Sequence, residues 1–179
     1  MPLFHSFGLM GGLIMPLLSG VPTYQYPTPL DGKIIPKAVY FSDSTIMFGT
    51  DTFLNLYARS ATGYDFGRVR MIVAGVERLK QETYDLYVDK FGVRPIQGYG
   101  MTEASPVVAL NTRESHKKDT VGQFIPGLET RFEDVPGITH GKRLSVRGPN
   151  IMLGYMKHDN PGIIQPPKDG WHNTGDIIA

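Results

Sequence analysis

From Phe7 to Asn111 two kinds of hydrophobic block alternate along the chain. Short β-prone blocks at Thr45 to Phe48, Val69 to Ala74, Arg94 to Gln97 and Val107 to Leu110 predict buried strands. Longer mixed stretches at Asp31 to Phe41, Thr50 to Ser60 and Lys80 to Phe91 predict helices between them. Upstream, Gly8 to Leu18 predicts a buried helix and Pro22 to Tyr26 a short strand. Asp31 suits a helix N-cap, whereas Pro36 sits awkwardly inside the same helix because proline has no N–H to give to its ladder. Strand-helix alternation at this spacing implies a parallel sheet covered on both faces, an α/β subdomain spanning residues 1–112.

The pattern changes after Asn111. A polar stretch from Arg113 to Asp119 is followed by short strands at Val121 to Ile125, Leu128 to Val135, Lys142 to Arg147 and Ile151 to Tyr155, separated by Gly and Pro, and then by a Pro-rich loop from Asp159 to Lys168. These predict a small antiparallel β-barrel or distorted sheet over residues 113–179, with the subdomain boundary inside 112–120. Asp176 to Ala179 reads as a strand that is cut off, and the apolar stretch Leu3 to Leu18 reads as a chain that starts inside a domain. That stretch has no basic leader, contains His5 and is broken by Pro16, which argues against a signal peptide or a membrane span.

Composition narrows the function classes. With 41% hydrophobic and 20% charged residues over 179 positions, the chain can bury a substantial core and is not disordered. A net charge of +1 gives no electrostatic footprint for nucleic acid. The absence of cysteine excludes disulfide scaffolds, thiolate zinc sites and a thiol nucleophile, and is compatible with a reducing cytoplasm.

Candidate chemistry gathers at two distant stretches, Gln97 to Ser105 (QGYGMTEAS) and Asp169 to Asp176 (DGWHNTGD). The first follows the strand-like run Val93 to Ile96, and in open α/β sheets ligands sit at the carboxyl ends of strands. Tyr99 can stack on a planar base, Thr102 can donate to a phosphate oxygen, and Glu103 is a hard oxygen ligand suited to Mg²⁺ between phosphates. A nucleoside triphosphate would use all three; taken alone, YGMTE is also an ordinary Gly-rich turn capped by Thr and Glu. In the second stretch, one carboxylate at Asp176 can accept both vicinal hydroxyls of a ribose, and equally can be a turn aspartate before a strand. Trp171 is expected in packing rather than at a ligand, and Arg147 in a structural ion pair.

Four motifs in order, VAGVERL (Val73 to Leu79), YGMTE, VRGPNIMLGY (Val146 to Tyr155) and GWHNTGD, resemble the adenylate-forming superfamily of acyl-activating, AMP-binding ligases over nearly the whole chain. The wording of PLFHSFGL, FGTDTFL, YDFGRVRMIVAG and VPGI is most similar to the synthetase part, which ligates a fatty acid to acyl carrier protein, of bifunctional bacterial lysophospholipid acyltransferases. The resemblance implies a fragment of the large N-terminal domain of a ligase with ATP and Mg²⁺ as cofactors. The parent reaction it implies converts ATP and a fatty acid to acyl-AMP, then passes the acyl group to a phosphopantetheine thiol, on acyl carrier protein or coenzyme A. The product would feed lysophospholipid acylation. By the same resemblance the parent is cytoplasmic, at the cytoplasmic face of the inner membrane through an upstream acyltransferase domain.

Carried over residue by residue, Gly75, Val76, Glu77 and Arg78 run along adenine and one wall of the acyl pocket. Tyr99, Gly100 and Met101 border the nucleotide, Thr102 binds the α-phosphate, Glu103 holds Mg²⁺, Asp176 binds ribose, and His5 of the PxFH element positions the acyl carboxylate. Val76 departs from the usual alanine or glycine and would narrow the pocket. The segment Val146 to Tyr155 receives no catalytic task. A lysine-ended phosphate loop and a mobile domain with a catalytic lysine, both implied by the resemblance, lie outside residues 1–179, so the isolated chain is expected to adenylate poorly or not at all. The alternatives are an acyl-CoA or aryl-CoA ligase, a non-catalytic nucleotide-binding module, and an inert fragment.

Overall fold

The structure is a computed structural model that describes all residues 1–179. Its main body is a five-stranded sheet of β1 (Ile46–Gly49), β2 (Met71–Ala74), β3 (Pro95–Gly100), β4 (Val107–Leu110) and β5 (Gln123–Phe124), in that spatial order. β1, β2 and β3 pair in parallel, as the alternation requires, with helices α4 (Asp51–Ser60) and α5 (Gln81–Phe91) as crossovers. β4 and β5 are antiparallel, which corrects the expectation of a wholly parallel sheet. The reason is local: only the six residues Met101 to Pro106 separate β3 from β4, too few for the crossover that a parallel return needs.

The core of this body lies where α4 and α5 meet the parallel strands. Leu54, Ala58, Phe66, Ile72 and Tyr87 are fully buried there, and the Phe66 ring meets Phe91 edge-on at 4.8 Å and Tyr87 at 5.5 Å. Tyr87 brings a polar atom into this core and satisfies it, its hydroxyl donating to the Leu54 carbonyl at 3.0 Å. Each helix is also tied by its N-terminal turn to the element before the other. The buried Asp51 carboxylate accepts the Lys80 amide at the start of α5 at 2.8 Å, and Glu77 accepts the Thr52 amide at the start of α4 at 2.9 Å. These bonds satisfy N–H groups that a helix leaves without internal partners.

At the N-terminus the expected helix is present but interrupted. α1 (Ser6–Leu9) and α2 (Met15–Leu18) flank a π-helical turn at Met10–Ile14, and Pro16 stands in the first turn of α2. Gly11 lets this segment lie on β1, because a Cβ there would meet the Phe48 ring at 2.8 Å. The expected strand at Pro22 to Tyr26 does not form; Thr23 and Gln25 instead turn their side chains back to the Gly12 carbonyl, leaving this backbone without a strand partner. The next helix, α3 (Ile35–Phe41), begins later than expected, with Pro36 in its first turn where proline is tolerated. Asp31 is therefore no N-cap and accepts the Tyr26 hydroxyl.

The C-terminal part holds a three-stranded antiparallel sheet, β10 (His172–Ile178), β7 (Lys142–Arg147) and β6 (Glu129–Glu133), and a two-stranded pair, β8 (Tyr155–Met156) with β9 (Ile164–Gln165). Of the two expected forms this is the distorted sheet and not a closed barrel, since three strands and a detached pair are too few to curl edge to edge. The strand expected at Ile151 to Tyr155 shrinks to β8, and β5 pairs with β4 in the first sheet. Trp171 lies under two guanidinium groups, Arg131 at 4.3 Å and Arg147 at 4.7 Å from its ring. Arg147 also pairs bidentately with Glu129, at 3.0 and 2.5 Å. No helix is long and apolar enough to cross a membrane.

Candidate active site

The carboxyl ends of β2 and β3 and the loops after them carry most of the residues singled out by sequence. Beyond β2, Gly75 donates its amide to the Gly49 carbonyl at 3.2 Å, and its missing Cβ makes room for the Phe7 ring, which a side chain would approach to 3.3 Å. The loop therefore packs on α1, the helix that directly follows the PLFH element. Val76 follows with φ +75°, a conformation that costs a β-branched residue about 1 to 3 kcal/mol. The Glu77 carboxylate, bonded to both the amide and the hydroxyl of Thr52, fixes the loop on the far side of that strained residue.

Glu77 is held below the usual carboxylate range, chiefly by the Thr52 amide and then by side-chain hydrogen bonds from threonine. Because its folded value is depressed, its contribution to stability is present above the ordinary value of 4.5 and is lost as pH falls through the lowered one. Comparing thermal midpoints between pH 3 and 7 tests this. Glu77→Gln should be less stable than the parent at neutral pH and should converge with it at the acid end, by a modest amount because the group is exposed.

At the end of β3, Gly100 has no room for a side chain, since a Cβ would overlap the Pro106 carbonyl, and the Met101 amide donates to that carbonyl at 2.7 Å. A cis peptide joins Ser105 to Pro106. The single turn of 3₁₀ helix at Thr102–Ala104 then presents Thr102 and Glu103 while Ala104 is buried.

Contacts across long sequence separations join the predicted groups. The Tyr99 hydroxyl donates to Asp176 at 2.5 Å, linking the two stretches singled out in the sequence. Burial, and next the bond to this carboxylate, push the Tyr99 phenol well above its ordinary value, so it stays a donor. The Ser6 and Thr102 hydroxyls lie 3.3 Å apart, bringing the residue that follows the PLFH element to the phosphate-binding candidate. His5 caps α1 through Nδ1, which accepts the Phe7 amide at 3.2 Å. Met101 packs toward the second apolar cluster of Val108, Leu144 and Val146.

A cavity of about 360 Å³ opens beside this arrangement, lined by Val76, Glu77, Arg78, Tyr99 and Gly100 from the predicted set. His5, Gly75, Met101, Thr102, Glu103 and Asp176 are not in its lining, so Tyr99 is the residue shared between the cavity and the acidic rim. The opposite wall, including Lys117, Lys118 and Thr120, was missed by motif reading. What holds that wall in place is Asn111, a buried amide that receives the Lys117 amide and donates to the carbonyls of Gln97 and Thr120, thereby pinning the polar loop beside β3.

Glu103 is held below the usual carboxylate range, first by a hydrogen bond from Tyr155 at 2.6 Å. No group of three or more His, Cys, Asp or Glu side chains can hold a metal by itself. A lone, partly exposed carboxylate fits Mg²⁺, which keeps several waters and takes its other ligands from substrate phosphates, better than a metal that needs a full protein cage.

A model of the AMP-binding enzyme family matches residues 1–156. A long-chain-fatty-acid–CoA ligase of Yersinia pestis is 30% identical over 186 residues, covering 100% of this chain and 33% of that protein. The probable 4-coumarate–CoA ligase 3 of Dictyostelium discoideum is 28% identical over 199 residues, covering 99% and 34%. Among solved structures, an anthranilate CoA ligase in complex with anthranoyl-AMP superposes with a TM-score of 0.81 at 21% identity, over 97% of this chain and 35% of that one, which shows a shared fold. The chain thus spans about a third of the length of the curated relatives it matches. With the family model covering most of its residues, the chain belongs to the AMP-binding enzyme family.

Proposed function

We propose that the chain forms the substrate-binding part of an ATP-dependent ligase that activates a fatty acid as acyl-AMP and passes the acyl group to a thiol. The observation that carries this reading is the Tyr99–Asp176 hydrogen bond, which joins the candidate base-stacking residue to the candidate ribose-binding carboxylate across 77 positions of sequence. Ser6 beside Thr102 supports it, because an acyl carboxylate held by the PLFH element would arrive at the α-phosphate.

In this reading Asp176 accepts the ribose hydroxyls and Tyr99 orients that carboxylate while bordering the base. Thr102 donates to the α-phosphate, and His5 positions the acid. A carboxylate oxygen of the substrate attacks the α-phosphorus, the bond to pyrophosphate breaks, and a thiol later displaces AMP from the acyl carbon, so no protein nucleophile is needed. Magnesium, with Glu103 as its protein ligand, would neutralise charge developing on the phosphates. Val76, strained and projecting at the cavity wall, limits the bulk admitted there.

Coenzyme A is the thiol named in the relatives. The wording of PLFHSFGL and FGTDTFL favours a second reading, in which acyl carrier protein is the acceptor and a separate acyltransferase uses the product at a membrane. Acid-dependent exchange of labelled pyrophosphate into ATP, run on the complete reading frame with fatty, short and aromatic acids, tests the first half-reaction. Exchange with long fatty acids is the expected result, and a folded protein that exchanges with none would refute it. Offering coenzyme A and acyl carrier protein in competition then separates the two thiols.

A further inference from the structure

Residues 150–155, within the segment to which sequence assigned no chemistry, wrap the Thr102–Ala104 turn. Asn150 Nδ2 donates to the carbonyls of Ala104 at 2.8 Å and Val107 at 3.0 Å, and the Met152 amide donates to the Glu103 carbonyl at 2.8 Å. These ties fix the backbone on both sides of the acidic residue. The Tyr155 hydroxyl then donates to Oε1 of Glu103 at 2.6 Å, 52 positions away in sequence, and no other side chain donates to that carboxylate.

The phenol reaches this place through a backbone that only glycine permits. Gly154 has φ +151°, and a Cβ there would overlap the Gln165 carbonyl, so the pairing of β8 with β9 depends on its bare Cα. The buried His172 ring lies edge-on to Tyr155, with centroids 6.4 Å apart at 61°, and packs one side of it. Tyr155 is thus a ring placed by its neighbours, with its hydroxyl directed at one oxygen of one carboxylate.

We propose that Tyr155 is a positioning residue for the ligase reaction: by engaging Oε1 it aims Glu103 so that Oε2 meets the cation carried by the nucleotide phosphates. The proposal rests on the reading of Glu103 as the magnesium ligand. A lone glutamate has three rotatable side-chain bonds, and a site with one protein ligand has no second carboxylate to correct its aim. Partners that orient a metal ligand typically matter 10- to 100-fold in metal affinity or activity. A merely structural tie between hairpin and sheet would instead affect stability and every form of the nucleotide alike.

The test compares the parent with Tyr155→Phe, Tyr155→His, Glu103→Gln and the Tyr155→Phe/Glu103→Gln double variant, all in the complete reading frame and all checked by thermal melting. The primary readout is equilibrium binding of ATP with Mn²⁺ and with EDTA, the ratio of the two dissociation constants giving the metal's contribution. Tyr155→Phe should cut that ratio roughly tenfold and leave metal-free ATP binding unchanged. In pyrophosphate exchange it should lower kcat by about 10- to 100-fold at an unchanged fatty-acid KM, with no further loss in the Glu103→Gln background. Tyr155→His, which keeps a donor on a ring, should recover part of the effect. A parent-like ratio in Tyr155→Phe, or equal weakening of both forms of ATP, overturns the proposal alone. A parent protein with no acid-dependent exchange and no metal contribution overturns the ligase reading and this proposal together.

Discussion

Replacing Asp176 with alanine should weaken ATP binding by at least about 100-fold, since two hydrogen bonds from ribose hydroxyls to one carboxylate are lost and each charged hydrogen bond contributes on the order of 1.5 to 3 kcal/mol, the low end of the pair already giving that factor. The effect is amplified inside the protein, because the Tyr99 hydroxyl now donates to Asp176 at 2.5 Å and would lose its acceptor. Tyr99→Phe separates the two contributions. It removes the bond that orients the carboxylate but keeps both carboxylate oxygens for ribose, so it should weaken ATP binding much less than Asp176→Ala does. Titration of both variants with ATP, alongside melting curves that show the fold intact, checks the ordering. Equal losses in the two variants would mean that Asp176 serves Tyr99 and not a ribose.

The largest loss of stability should come from Phe66→Ala, at about 3 to 5 kcal/mol by comparison with buried aromatic truncations. Phe66 is fully buried between α4, α5 and the strands, and its ring meets both Phe91 and Tyr87. The space left would be walled by rings whose positions are fixed elsewhere: Tyr87 is tied to the Leu54 carbonyl, and Phe91 ends a helix closed by Gly92 at φ +67°. Such walls cannot collapse into the void, which places the cost toward the upper part of that range. Denaturant unfolding measures it, and Phe66→Leu, which refills much of the volume, should recover more than half of the loss. A cost below about 1 kcal/mol for Phe66→Ala would contradict the assigned core.

The alternating half of the fold was legible because each of its signals was local. The strand blocks of β1, β2 and β3 are short and β-prone, and the helices between them are longer mixed stretches, α4 starting after Thr50, whose hydroxyl accepts the Phe53 amide. The direction of β4 was not legible from its own residues; it follows from the length of the turn before it. The same limit explains the barrel that did not form. A run of short strands separated by Gly and Pro shows how many strands exist but not whether the last finds the first.

The candidate site divides in the same way. Thr102, Glu103, Tyr99 and Asp176 stand out because their residue types suit a nucleotide and their motifs are compact. Their mutual arrangement, Tyr99 on Asp176 and Ser6 on Thr102, depends on packing between distant segments, and no spacing in the chain encodes it. Tyr155 was passed over for a physical reason: an isolated tyrosine after Leu-Gly has no distinguishing chemistry until the hairpin carries its hydroxyl to Glu103. Asn111 escaped similarly, since a buried asparagine that pins a loop looks in sequence like any polar residue after a strand.

The central claim is that one site holds an adenylate together with an acyl chain. It is tested most directly by calorimetric titration of the complete reading frame with a long-chain acyl-sulfamoyl adenosine, a stable mimic of acyl-AMP. The account predicts saturable one-to-one binding that is weakened at least about 100-fold in Asp176→Ala and that is tighter for the long-chain compound than for its acetyl counterpart. No saturable binding by the folded parent protein, or binding indifferent to both Asp176 and chain length, would contradict it.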